Sequence, residues 1–345
     1  MRAIRFTNAY VTATCAALGL CLLYVWLRLG HDYLSGGNAW KQGDWLINSS
    51  MVEVRRALAG DLILVLSDLT GVGPLGVAVA LQGLIFALLG VFLLVVLRRV
   101  SAAPLMCFLL ITPAFFPLFW TSDPQGGMRK EMLIYAGFSF LVYAALWPRL
   151  RGLLLGASVV FFSLGVFAHE AMVLFLPAYG ICLLALNRAG HLTRAGTATL
   201  GALAAAVCGA SLLLVMQVQT TVPDPRMICA PLIERGLSPE ICSGAIAWLE
   251  IGFAENSAVI AFRTAGDTLP KLVLSYALSI GALFFFLWHS DATRRLYGLV
   301  LLLATRQLAL VRAPRLGLLA LVSASYLFWG IAHVELFRLN GPVQE

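Results

Sequence analysis

The sequence predicts an all-α, polytopic integral membrane protein with about ten transmembrane helices and an interfacial helix in its first outer loop. Three observations carry that expectation. The chain is 60% hydrophobic and only 12% charged, with mean hydropathy +0.89, too little charge for a soluble domain. Its apolar residues gather in repeated runs long enough to cross a bilayer. Its basic residues punctuate those runs in an alternating phase. Residues 1–345 therefore read as one membrane domain, and the net charge of +7 reads as an orientation signal. Nucleic acid is excluded as a partner, because no Lys/Arg-rich tract is interleaved with exposed aromatics.

The runs place spans near 9–29, 75–97, 104–120, 131–147, 152–168, 171–187, 196–216, 270–288, 296–311 and 316–334. The first keeps Arg2 and Arg5 before it and lacks a small-residue cleavage site, so it reads as a retained anchor. Arg2/Arg5, Arg98/Arg99, Arg149/Arg151, Arg188/Arg194 and Arg294/Arg295 all fall on one side when the spans alternate. By the positive-inside rule that side is the cytoplasm, and the N-terminus lies there. Beyond residue 295 the phase is open. Arg306, Arg312 and Arg315 are either a second cytoplasmic patch or the outer flank of a short ninth span.

The same alternation sends the chemically richer segments outward: 30–74, 121–131, the reversal at 169–170, and 217–269. The last holds Cys229 and Cys242, which either close a short disulfide loop in an oxidising compartment or remain two free thiols. Cys15, Cys21, Cys107, Cys182 and Cys208 lie within spans and read as small buried hydrophobes. No cysteine spacing resembles a zinc site.

Segment 30–74 is too long for a passive hairpin. Residues 51–66 are expected to form a helix lying along the interface, with Glu53 and Arg56 three apart on one side. Trp40 and Trp45 suit the headgroup level, and Asp44, Arg55, Arg56 and Asp61 then sit near the bilayer surface. A solvated amphipathic helix with arginines on lipid phosphates competes with a functional role. In "TSDPQGGMRKE" (121–131), Pro124 and Gly126-Gly127 break the chain before a helix start. Such a start leaves backbone N–H groups aimed at one place, where an anion is favoured. Arg129 and Lys130 oppose the helix dipole there, unlike Glu131, and binding a phosphate is a sufficient reason for them. A polar turn with snorkelling cations is the plainer account. In "GVFAHEAMVLFLP" (165–177) the basic phase requires a tight reversal near His169-Glu170, at or just below the outer surface. Ionisable groups are costly there and are by default functional, here as a general base or an anion ligand. A helix–helix hydrogen bond is the competing role.

Three stretches carry a family resemblance: "GDWLINSSMVEVRRALAGDLILVLSDLTG" (43–71), "DPQGGMRKE" (123–131), and the His-Glu at 169–170 followed by Pro177. Over the N-terminal half the chain resembles the bacterial Wzy-type O-antigen and exopolysaccharide polymerases, whose architecture is like that of GT-C glycosyltransferases. A further acidic/Arg element expected near the last spans is not supplied by "AHVELFRLNGPVQE". The resemblance implies substrates made of glycans on undecaprenyl pyrophosphate, met at the periplasmic face of the bacterial inner membrane. It implies phosphate-binding roles for Arg55, Arg56, Arg129 and Lys130, since guanidinium groups suit a pyrophosphate leaving group. The proton acceptor is then His169 or Glu170, with Asp44 and Asp123 as rivals. The resemblance implies that no cofactor is required, since a lipid-linked phosphate activates the sugar, which is consistent with finding no nucleotide-binding loop; a divalent metal is compatible with the carboxylates but not demanded. Implied partners are the lipid-linked oligosaccharide, membrane lipids, and chain-length-regulator and flippase proteins. Two other classes compete: a GT-C enzyme adding one sugar from a lipid-phosphate donor, and a transporter or flippase. The latter calls for polar groups at mid-membrane and an internal repeat, and no repeat is evident. An acyltransferase lacks its paired His-and-Asp signature.

Overall fold

A computed structural model describes residues 9–99, 120–121, 127–217, 222 and 224–251, and these are all-helical, with no strand among them. The expected spans at 270–288, 296–311 and 316–334 lie outside the described residues, as does 104–120 apart from Trp120. Nine α-helices follow in chain order: α1 (Ala9–Leu34), α2 (Lys41–Trp45), α3 (Leu58–Thr70), α4 (Pro74–Arg99) and α5 (Met132–Leu146), then α6 (Arg151–Ala168), α7 (Leu176–Arg188), α8 (Arg194–Gln217) and α9 (Arg226–Glu234), counted among the described residues. Short 3-10 turns cover Pro148–Leu150, Glu170–Phe175, Pro239–Cys242 and Ala247–Glu250.

Thr12–Leu34, Pro74–Leu94, Pro148–Ala168 and Arg194–Gln217 are long and apolar enough to cross a membrane. Met132–Leu146 and Met172–Arg188 are apolar but shorter. This pattern points to a membrane protein. Helix α5 is central. It is apolar all round, and every residue from Met132 to Ala145 except Phe140 is buried, the behaviour of a helix enclosed by others. Its most extensive partner is α6, and small residues make their approach close. A Cβ on Gly137 would meet the Phe162 nitrogen at 3.1 Å, and one on Gly165 would meet the Ile134 side chain at 2.7 Å. The Ser158 hydroxyl donates to the Gly137 carbonyl at 2.8 Å across the same seam. Small residues and interhelical hydrogen bonds are what hold helices together where lipid removes the hydrophobic drive.

At one end of the bundle the α6 start meets the α7–α8 turn, where the Arg151 guanidinium lies 3.3 Å from the His191 ring. The basic Arg149, Arg151, Arg188 and Arg194 gather at this end. At the opposite end the segments 35–57, 127–131, 169–175 and 224–251 come together over the start of α5. Covalent closure joins Cys229 to Cys242 in the last of these segments.

One expectation for segment 30–74 is corrected. A helix over 51–66 does not form: α3 begins at Leu58, and Arg56 takes φ +69°. That left-handed backbone ends any right-handed helix, so Glu53 and Arg56 share no helical face. Trp45 is buried at 2% exposure, and its indole N–H donates to the Met128 carbonyl at 3.0 Å.

The segment before α3 passes tightly over that helix. A Cβ on Gly60 would sit 2.0 Å from the Ile47 carbonyl oxygen, a backbone atom that cannot swing aside. Gly60→Ala is therefore expected to destabilise the protein by about 3 kcal/mol, the upper range for overpacking. Gly209→Ala on α8, where nothing lies within 4 Å, should be nearly neutral. Thermal melting in detergent checks both, and equal melting temperatures would refute the close approach.

Candidate functional site

The start of α5 is a knot of buried charge. Three chain segments supply it: 43–57, 127–131 and 169–170. Helix α2 places Asp44, which is fully buried, against the turn before α5. One Asp44 oxygen accepts the Lys130 backbone N–H at 3.4 Å, and the other lies 3.8 Å from an Arg129 Nη. Glu170, the first residue of the turn after α6, faces the two arginines of the 46–57 loop. It accepts from Arg56 Nε at 2.8 Å, Arg56 Nη2 at 2.6 Å and Arg55 Nη1 at 3.1 Å. Lys130, with 0% exposure, extends its ammonium to the Arg56 carbonyl at 2.7 Å. His169 lies with Nε2 3.9 Å from a Glu131 oxygen. Its backbone is extended, and its own N–H completes the end of α6 on the Gly165 carbonyl.

Two non-glycine residues have left-handed backbone among the described residues, Arg56 (φ +69°) and Met128 (φ +60°), and both belong to this knot. Each has its carbonyl held by buried donors. The Met128 oxygen receives the Trp45 indole N–H at 3.0 Å and the Gln82 amide at 2.8 Å, while the Arg56 oxygen receives Lys130. Backbone in this region costs on the order of 1 kcal/mol or more per residue and persists where surroundings over-determine it. Gln42 extends the support by donating to Gln82 at 2.8 Å and accepting the Asn38 N–H at 2.8 Å.

By formal charge, Arg55, Arg56, Arg129 and Lys130 face Asp44, Glu131 and Glu170, leaving one excess positive charge among the described residues. Burial and the neighbouring charges together set the protonation states. Burial acts to raise Glu170, but the hydrogen bonds and charge of Arg56 win, holding its carboxyl far below the usual range. Burial likewise opposes Asp44 ionisation, and Lys130 and Arg129 outweigh it, so its acidity is increased. Burial pushes Lys130 down to about 8 despite Asp44, with Arg56 and Arg129 adding repulsion. Burial, then Arg56, pushes His169 down to about 3, so the ring is neutral at pH 7. Arg56 is held above its ordinary value: Glu170 more than offsets its burial.

The structure thus brings together seven of the sequence-predicted residues: Asp44, Arg55, Arg56, Arg129, Lys130, His169 and Glu170. Asp123 lies outside the described residues. One part of the sequence reading is corrected. The N–H groups at the α5 start do not stand open for an anion, because Met132, Leu133 and Ile134 donate to the Arg129, Lys130 and Glu131 carbonyls. The anion at that position is the protein's own Asp44. Sequence reasoning missed Gln82 and the buried role of Trp45. Gln82 had a readable signal, being an isolated amide inside the apolar run of α4. Cys229 and Cys242 lie apart from the knot, and they line an open cavity with Asp224, Arg226 and Glu250. Among the described residues no cluster of three or more His, Cys, Asp or Glu side chains is arranged to hold a metal. Known proteins offer no guide: no family model, no curated protein and no solved structure matches the chain.

The buried imidazole makes acid sensitivity testable. His169 has its folded value, about 3, below the ordinary 6.5, so the unfolded chain binds a proton first as pH falls. Stability is full above about 6.5 and declines between 6.5 and 3. At pH 5 the loss is on the order of 2 kcal/mol. Glu170 acts in the same direction below the carboxylate range. His169→Gln should flatten the melting profile between pH 7 and 5 while leaving the steeper loss below pH 4. An unchanged slope in that variant would show that another group governs it.

Proposed function

We propose that the chain is a membrane glycosyltransferase of the polysaccharide-polymerase kind, acting on glycans carried by undecaprenyl pyrophosphate at the periplasmic face of the bacterial inner membrane, in O-antigen or exopolysaccharide synthesis. The observation that carries the reading is the knot that gathers four cations, Arg55, Arg56, Arg129 and Lys130, joined from three separate segments at one end of the apolar helices. Its site residues coincide with the stretches that resemble the Wzy-type polymerases. In this reading the chain spans the membrane about ten times, with its N-terminus in the cytoplasm and the Arg149/Arg188 end facing inward.

The chemistry divides among the residues by what each can still do. Arg55 and Arg56 are about one-fifth exposed at their side chains, so they meet the pyrophosphate that leaves as the acceptor hydroxyl attacks the anomeric carbon. Glu170 has both oxygens committed to arginines and positions them; it is a poor proton acceptor. His169 is neutral and is the candidate base. Burial first and Arg56 second depress its basicity, and a bound pyrophosphate offsets the second of these. Arg129, Lys130 and Asp44 hold the start of α5 beneath them.

Gene deletion followed by electrophoresis of surface polysaccharide tests this directly. The expected result is collapse of the ladder to a single repeat unit; an unchanged ladder refutes the polymerase reading. Loss of the first unit itself would indicate a single-sugar transferase. Among inserted, folded variants, Arg56→Ala and Arg55→Ala should each lower polymer yield by roughly tenfold to a hundredfold, the value of one charge-assisted contact. Arg56→Lys should fail to restore it, since an ammonium cannot reproduce the fork on Glu170.

A further inference from the structure

We infer that the Cys229–Cys242 disulfide is a redox-set strap that fixes the Asp44 segment, so that thiol–disulfide exchange regulates the anion site. The affinity part of this inference rests on the phosphate reading above; the structural part does not.

The two half-cystines are each next to a residue that grips the 43–48 segment. Ile228, before Cys229, offers its carbonyl to the fully buried Asn48 amide at 2.9 Å. Ile241, before Cys242, lays its carbonyl over Gly43, where a Cβ would come within 2.8 Å. Between those grips run Asp44, Trp45, Leu46 and Ile47, all buried. Asp44 reaches Lys130 and Arg129, and Trp45 holds the Met128 carbonyl. The disulfide therefore fixes the spacing of two clamps that flank Asp44, one of the three acidic members of the knot. A second set of contacts seats the same strap on the residues just upstream. Ala245 donates its N–H to the Ala39 carbonyl at 3.0 Å, and Trp248 packs on Trp40 with ring centroids 5.9 Å apart.

The bond is reachable. Cys229 is buried, but Cys242 is partly exposed, and both line the open cavity bordered by Pro225, Arg226 and Ser243. A dithiol attacks the Cys242 sulfur as thiolate, the Cys229 sulfur leaves and takes a proton, and the mixed disulfide resolves as the reductant closes its own ring. The balance is two electrons and two protons to the protein, and one disulfide formed on the dithiol. What remains is a segment whose two clamps are no longer tied covalently to each other. Its clamps move independently, and the pre-ordered geometry of Asp44 and the arginine loop is lost.

Hydrogen exchange on the full chain in nanodiscs, with and without dithiothreitol, tests the strap. Peptide mass mapping after iodoacetamide should find Cys229 and Cys242 blocked before reduction and alkylated after it. Amide exchange over 43–57 should speed about tenfold on reduction, with 151–217 unchanged, and reoxidation should restore it. Cys229→Ser/Cys242→Ser should match the reduced protein without reductant. Alkylation of both cysteines before reduction, unchanged exchange over 43–57, or equal acceleration across 151–217 would each overturn the inference. Inorganic pyrophosphate binding is read in parallel and should weaken about tenfold on reduction. If the oxidised protein binds no pyrophosphate, the phosphate reading and the regulation of affinity both fall, while the exchange data still judge the strap. If it binds equally in both redox states, the regulation falls alone.

Discussion

Buried charge at the start of α5 is the constraint on which that end of the helix bundle depends. Lys130 and Asp44 are both fully buried, and each isolated charge would cost several kcal/mol to remove from water. Neither can be left without a partner, so the surrounding chain is committed to reaching them. Asp44 must lie against the α5 start, which requires α2 and the tight passage over Gly43 and Gly60. Lys130 must find an acceptor, and the one it finds is the carbonyl of Arg56, whose left-handed backbone turns that oxygen toward it. Arg56 is then delivered to Glu170. The loop 46–57, the turn at 169–175 and the α5 start form one electrostatic unit in which no member is independently placed.

The same network explains why the strain sits where it does. Arg56 and Met128 have unfavourable φ angles, and both carry carbonyls that buried donors need. Relaxing either backbone would return about 1 kcal/mol or more and would leave a buried donor unsatisfied, which costs as much or more. The strained state wins. Its consequence is a guanidinium pair with little freedom to reorient, fixed on one side by Glu170 and part-exposed on the other. A charged group pre-organised in this way loses little on meeting an anion.

Local features of the sequence made the helices legible. The apolar runs mark α1, α4, α5, α6 and α8 within a few residues, and the arginines at 149, 151, 188 and 194 gather at one end as their phase requires. The His169-Glu170 reversal was visible because a doubly ionisable pair inside an apolar stretch has few bland explanations. What was not legible depended on distant partners. Nothing near Arg56 signals a positive φ; the residues that enforce it, Lys130 and Glu170, are 74 and 114 positions away. The expected helix over 51–66 failed for that reason, since local propensity cannot register a carbonyl pulled by a remote ammonium. The buried acceptor of the Trp45 indole, the Met128 carbonyl, is likewise 83 positions away.

Asp44 sharpens what the cluster can accept. A helix start with cations beside it invites an external anion, yet here the inner seat is taken by a carboxylate of the protein, and the first N–H groups of α5 are spent on 3-10 hydrogen bonds. Among the described residues the most exposed cations of the knot are Arg55 and Arg56, at 18% and 20% of their side chains, with Arg129 at 14%. Glu170 neutralises only one of that pair. For the glycosyltransferase proposed above, a phosphate would meet that arginine pair while Asp44 keeps the inner seat, and the His169 ring of the same cluster is kept neutral by burial first and by Arg56 second.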